Sequence, residues 1–120
     1  MALDDNKSVF RRFVDVWANG DFSQLDQVVA KNYIGHVSSG DRTYDGLMAR
    51  IVTFRVRYPD VQFSIEDQIV DGDKVATRLT ARGTQQPTGK ATTLMGLNIS
   101  RMERGKITEE WATWEVLSLT

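Results

Sequence analysis

Cysteine is absent from this chain, which excludes disulfides, thiolate zinc sites, iron–sulfur clusters and cysteine nucleophiles. Histidine occurs once, at His36, so a zinc site would need mostly carboxylate ligands, and no acidic cluster has a spacing suited to one. An excess of either charge is also lacking. The 15 Lys and Arg against 16 Asp and Glu give a net charge of −1. Such a chain has no long-range attraction for nucleic acid or for an anionic membrane, and neither is expected as a partner. No apolar run approaches the ~18 residues of a membrane span. The opening Met1-Ala2-Leu3-Asp4-Asp5-Asn6 is acidic and lacks the basic and apolar regions of a signal peptide, so a cytoplasmic protein is expected. The sequon Asn98-Ile99-Ser100 therefore carries little weight. There is no G-x-S-x-G elbow, no G-x-G-x-x-G and no H-E-x-x-H. Gly83 to Lys90 only superficially matches a phosphate loop, because Ala91 stands where a Ser or Thr is required.

What is present is an ordinary globular composition, 41% hydrophobic and 26% charged, in 120 residues. That size gives one domain, 1–120, with one core. Phe10, Phe13, Val14 and Trp17 follow the i, i+3, i+4, i+7 spacing of a helix face, with Asp4, Asp5 and Asn6 as N-cap candidates and Asn19-Gly20 as the stop. A short second helix is predicted from Asp21, turning Leu25, Val28 and Val29 inward. A third runs from about Tyr44 to Tyr58, with Leu47, Ile51, Phe54 and Tyr58 on one face and Pro59-Asp60 ending it. The period then changes to two. Val61, Phe63, Ile65 and Ile69 alternate with Gln62, Ser64, Glu66 and Gln68. A turn at Asp71-Gly72-Asp73 leads to a strand from Lys74 to Gly83, then a loop over Thr84–Gly89. Two longer strands, Ala91–Glu103 and Lys106–Leu117, meet at Arg104-Gly105. Helices followed by a meander of strands give an α+β fold, three N-terminal helices packed on one side of a strongly curved, mainly antiparallel sheet.

The last strand carries Ile107, Glu109, Trp111, Thr113 and Glu115 on one parity and Thr108, Glu110, Ala112 and Trp114 on the other. Large aromatics on both parities fit two apolar environments, a cavity and a subunit interface, or else a bulge that shifts the register. Candidate chemistry is confined to polar groups in apolar company. His36, in the extended segment Tyr33-Ile34-Gly35-His36-Val37, is either a hydrogen-bonded structural residue or a proton carrier. Glu115 is either an exposed strand-end glutamate or a carboxylate desolvated by Trp111 and Trp114. Asn98 is an uncharged donor in mid-strand, facing either way. Arg50 and Arg57 share a helix face with Arg55 elsewhere, and read as a solvated surface.

Taken in order along the chain, these residues resemble the SnoaL-like polyketide (ester) cyclases of the nuclear-transport-factor-like cone-fold superfamily. The resemblance rests on Phe13 and Trp17 followed by Gly20-Asp21 and Leu25, on Tyr33 and His36, and on Tyr58-Pro59-Asp60, Ile65-Glu66-Asp67 and Asp71 to Ala76. It continues through Arg78, Gly83-Thr84 and Pro87 to Lys90, and through Gly105 to Trp111, ending at Glu115. It implies a cone enclosing an apolar pocket open at its wide end, and a homodimer formed through the outer sheet faces. It also implies an intramolecular aldol ring closure that needs no metal and no organic cofactor. The family's acid is an aspartate four residues after the tryptophan, which falls on Glu115 here, one methylene longer. The segment between Gly83-Thr84 and Pro87 lacks the histidine-bearing loop common in relatives.

The expectation is thus a small enzyme handling a proton on an apolar or aromatic molecule. Glu115 and His36 are the catalytic candidates, and Trp17, Tyr33, Arg78, Asn98, Trp111 and Trp114 the candidate substrate contacts. A non-catalytic binder of hydrophobic small molecules, a related isomerase or dehydratase, and a purely structural dimerisation unit are the competing readings.

Overall fold

The computed structural model describes Leu3–Thr120, with side chains from Asn6 onward. Helix α1 spans Leu3–Asn19. It is already helical at Leu3, so the predicted caps Asp4, Asp5 and Asn6 lie within its first turn; the side chains of Asp4 and Asp5 fall outside the described residues. Helix α2 is Phe22–Val28, capped by Asp21, whose side chain accepts from the Ser23 backbone N–H at 3.1 Å rather than forming the box with Gln24 that the spacing suggests. Helix α3, Tyr44–Arg57, is capped by Thr43 and buries Tyr44, Leu47, Ile51 and Phe54.

Six strands form one mixed sheet, ordered β2-β1-β6-β5-β4-β3. They are β1 (Val29–Val37), β2 (Gly40–Arg42), β3 (Gln62–Asp71), β4 (Lys74–Gln85), β5 (Lys90–Glu103) and β6 (Lys106–Leu119). Two corrections to the sequence reading concern the sheet edge. Val29 both caps α2 and opens a strand, and the segment around Tyr33 is nine residues long, parallel to β6 and joined to β2 as a hairpin. The other pairs are antiparallel. Arg104 and Gly105 both take positive φ, 53° and 77°, the geometry of a tight two-residue hairpin turn.

Bulges decide which side chains face the helices. In β3 the register shifts between Ile65 and Asp67. Beyond it Gln68 turns inward and Ile69, predicted to be apolar-side, is 69% exposed on the outer face. In β6 the register shifts again near its start, between the pairs Met102–Ile107 and Arg101–Glu109. Past that point the alternation is regular as far as Val116, beyond which the register shifts once more. Glu110, Ala112, Trp114 and Val116 pair with the inward Ser100, Asn98, Gly96 and Leu94, whereas Glu109, Trp111, Thr113 and Glu115 pair with the outward Arg101, Ile99, Leu97 and Met95. Trp111 and Trp114 both lie past this shift and face opposite sides, Trp114 toward the helices and Trp111 on the outer face.

The core lies between the helices and the inner sheet face, where Phe10, Phe13, Val16, Leu25, Leu47 and Ile51 meet Tyr33, Val75, Leu79, Met102 and Ile107. A second, smaller cluster of Phe54, Tyr58, Val61, Ala81 and Leu94 continues it toward the open end. There Asp60 accepts from both the backbone N–H and the hydroxyl of Thr84, each at 2.7 Å, and these bonds hold its carboxyl below the usual carboxylate range. Among the described residues no helix is long and apolar enough to cross a membrane.

Trp114 lies across its cross-strand partner Gly96, where an added Cβ would fall 2.8 Å from three ring atoms. Gly96→Ala should therefore displace the indole and destabilise the fold by about 1–3 kcal/mol, read as a lower urea midpoint with altered tryptophan emission.

Candidate functional site

The concave side of the sheet and the three helices leave a cavity of about 620 Å³ at the open end, walled by Trp17, Phe54, Tyr58, Phe63, Leu94 and Trp114. It narrows into an inner recess of about 30 Å³ with which it shares Trp17, Arg42, Phe63, Ala112 and Trp114. The recess has room for one water or one carbonyl-sized group. The aromatic wall is a chain of edge and stacked contacts. Trp17 meets Phe54 at 5.4 Å, Phe54 meets Phe63 at 6.0 Å, and Phe63 meets Trp114 at 6.2 Å between centroids.

At the floor lies a polar cluster. Glu110, 1% exposed, receives three donors. The Tyr33 hydroxyl and the Arg42 Nη2 (3.0 Å) both donate to Oε1, and the Asn98 amide donates to Oε2. Arg42 also donates through Nε to the Tyr33 oxygen at 3.1 Å. Ser100 donates to the Asn98 carbonyl oxygen at 2.6 Å, which fixes the amide with its NH₂ toward Glu110. Burial, with the neighbouring Glu110 charge, pushes the Tyr33 hydroxyl pKa far up, so it remains a donor. Burial pulls the Arg42 pKa down, but Glu110 and Tyr33 outweigh it and the net shift is upward. Oε2 of Glu110 accepts only Asn98, and Nη1 of Arg42 has no acceptor among the described residues; both side chains line the recess.

The predicted site residues divide between two faces. Trp17 and Trp114 line the cavity, and Tyr33 and Asn98 hold Glu110 at its floor. His36, Arg78, Trp111 and Glu115 are not there. His36 stacks on Trp111 on the outer face at 5.4 Å, its Nδ1 within 2.8 Å of Asp41 and its Nε2 within 2.7 Å of Glu109. Arg78 forms an exposed pair with Asp67 at 2.6 Å. Glu115 is exposed and lines no cavity, because two residues per strand period put it on the side of Trp111 rather than of Trp114. His36, Arg78 and Trp111 instead line a larger, more open concavity of about 810 Å³ with Ile69, Leu97 and Ile99, whereas Glu110 and Arg42 line the inner recess. The sequence signal for Glu110 was its shared parity with Trp114. Arg42 carried none, since the short strand β2 was not read.

A polar pocket floor beneath an aromatic throat, on three helices and a bent sheet, invites comparison with known proteins. The family model described as SnoaL-like polyketide cyclase matches residues 7–120. The chain belongs to that family. Among solved structures it is similar to a protein from Bacillus cereus described as a candidate polyketide cyclase, at 29% identity over 92% of this chain and 74% of that one, with a TM-score of 0.84. It is also similar to wild-type IdmH from Streptomyces antibioticus, described in the same way, at 24% identity over 92% and 91%, TM-score 0.83. A third likeness is AclR from Streptomyces galilaeus, described as a candidate hydroxylase, at 19% identity over 97% and 82%, TM-score 0.86. The last two establish the shared cone fold. A search of curated proteins returns no match.

Two predictions follow from this geometry. Glu110→Gln, which leaves the half-buried Arg42 unpaired, should cost about 3–5 kcal/mol in urea denaturation, and Glu115→Gln less than about 0.5 kcal/mol. On the outer face, the bonds from Glu109 and then Asp41 raise the His36 pKa above its ordinary 6.5. A raised folded-state pKa means the pairing is fully stabilising below 6.5 and is lost as pH rises through the folded value. As the chain has one histidine, its imidazole NMR signals should titrate with a midpoint above 6.5 that drops in Glu109→Gln.

Proposed function

We propose that the chain is a cyclase-type enzyme that binds an apolar or aromatic small molecule in the cone and closes a ring by carboxylate-assisted proton abstraction. The observation that carries this reading is the carboxylate of Glu110 at the end of an aromatic cavity, with Oε2 accepting only Asn98 and a guanidinium beside it, both side chains lining the recess. A substrate carbonyl entering the recess would meet Nη1 of Arg42. The carbon next to that carbonyl would present its proton to Oε2 of Glu110. Arg42 then holds the enolate oxygen as charge develops on it, as oriented donors do in water-poor sites. The enolate carbon attacks a second carbonyl of the same molecule, a carbon–carbon bond forms, and the new alkoxide takes up the proton. The sum is redox-neutral. The aromatic walls supply the folded substrate conformation, and confinement replaces the entropy that an open chain would lose on closing.

The competing reading, binding without turnover, shares the cavity and differs only at Glu110. The outer face, where Ile34, Ile69, Leu97, Ile99 and Trp111 are exposed, supports the homodimer that the family resemblance implies.

The test is hydrogen–deuterium exchange at the activated carbon of a panel of aromatic β-keto esters and cyclic ketones in D₂O. Wild type should exchange above background, and Glu110→Asp, which keeps the charge but withdraws it by about an ångström, should lose roughly a hundredfold. Glu115→Gln should exchange like wild type. Exchange unaffected at Glu110 removes it from the chemistry. No exchange in wild type, with panel members nonetheless raising Tm, selects the binding reading.

A further inference from the structure

Three arginines, Arg42, Arg50 and Arg57, line the aromatic cavity of about 620 Å³, and among the described residues no aspartate or glutamate does. In a chain with more acidic than basic residues, that is a local reversal of sign. Arg42 is balanced by Glu110, but Arg50 and Arg57 are not balanced. Both are exposed on α3, seven residues apart, at either side of the buried Phe54 that forms part of the cavity wall. Two helical turns separate them by about 10 Å along the axis. The helix gives neither a partner. Three and four residues from Arg50 stand Leu47, Gly46, Thr53 and Phe54, and behind Arg57 stand Phe54 and Thr53. Among the described residues no carboxylate elsewhere lies within ion-pair distance of either.

Ordinary explanations account for the neighbours but not for this pair. Arg55 donates to the Ala18 carbonyl and ties α3 to the end of α1. A cation in the last turn of a helix complements its dipole, which covers Arg55 and Arg57. Arg50 is two turns earlier, beyond that effect. It lies 6.0 Å from the Phe54 ring, at the outer limit of a cation–π contact that uses one face of the guanidinium and leaves its N–H edge free. Arg50 and Arg57 are solvated, as the sequence reading has them, and they also border the cavity. They form the rim of the cavity.

We propose that the ligand is an aromatic or apolar acid, with its body between Phe54, Phe63 and Trp114 and its carboxylate held at the rim by Arg50 or Arg57. This rests on the cavity being the ligand site and adds the chemical class of what enters it. A planar carboxylate suits a lone guanidinium, which can meet it through two parallel N–H bonds. A single negative charge is also the better match, because the α3 C-terminus adds its own partial negative charge beside Arg57 and repels a dianion more strongly. Anchoring the acid at the mouth points the opposite end of the molecule toward the recess and Glu110, so the rim sets the direction of entry.

The experiment uses N-phenyl-1-naphthylamine, an uncharged fluorescent probe, bound to the intact protein and displaced by either 1-naphthylacetate or 1-naphthylacetamide. The two competitors share an aromatic body and differ in charge. The acid should displace the probe at a concentration about tenfold below the amide, with the advantage shrinking at high salt. In Arg50→Gln/Arg57→Gln, an exposed and helix-compatible pair of changes, the advantage should vanish while the amide keeps its wild-type affinity within about twofold. Equal displacement by acid and amide in wild type overturns this proposal and leaves the cavity reading intact. An advantage that survives in the double variant assigns the anion to Arg42 and overturns it as well. Failure of the probe to bind folded wild type removes the cavity reading, and this inference with it.

Discussion

The carboxylate of Glu110 is the constraint on which the rest is built. A charged group so deeply buried is tolerated only when its acceptor capacity is filled by well-placed donors. The donors here come from three separate strands. Tyr33 is on β1, Arg42 ends β2 and Asn98 is in the middle of β5, while Glu110 itself is on β6. Satisfying one side chain therefore fixes the lateral order β2-β1-β6-β5 and the register between its members. Apolar packing is tolerant of sliding by comparison. A polar network of this kind admits one arrangement, and the parallel pairing of β1 with β6, which no short connection enforces, gains its specificity from it.

The same network explains why the cone has an end. Helix α1 brings Phe10, Phe13, Val14 and Trp17 across the inner sheet face, and these fill most of the interior. Where the filling would meet Glu110 and Arg42 it stops, since no apolar side chain can replace a hydrogen bond to them. The remaining space is the recess, polar on its floor and apolar on its walls. Beyond the recess, aromatic rings line the larger space without filling it. The gradient from a charged floor through an aromatic throat to a cationic rim is a property of where each element runs out.

Much of this was legible in the residues. The three helices follow from their apolar spacing and stops, and the hairpins from Gly72 and from Arg104-Gly105. The cone was legible through the ordered motifs shared with a family. The floor of the site was less so, for physical reasons. Strand β1, Val-Ala-Lys-Asn-Tyr-Ile-Gly-His-Val, is too polar to announce itself. Its inner face past Val29 is essentially Tyr33 and Gly35, and its partner is more than seventy residues away in β6. Arg42 ends a three-residue strand that no periodicity can resolve. The choice between Glu110 and Glu115 turned on the phase of β6, and that phase is set by a bulge made of ordinary residues, with no glycine to mark it. Of the aromatic pair singled out in the sequence, Trp114 lines the aromatic cavity and Trp111 the outer face.

That bulge, near Ile107 and Thr108, works as a selector between two alternative interiors written into one strand. Downstream of it, one set of side chains offers Glu110, Ala112 and Trp114, and the other Glu109, Trp111, Thr113 and Glu115. Adding or removing a single residue between Lys106 and Glu109 would exchange the sets along the wall while leaving every downstream residue chemically unchanged. An indel at the Arg104-Gly105 tip, outside the paired strands, could be absorbed by the turn. The fold thus has a route to a new cavity lining that requires no substitution inside the cavity.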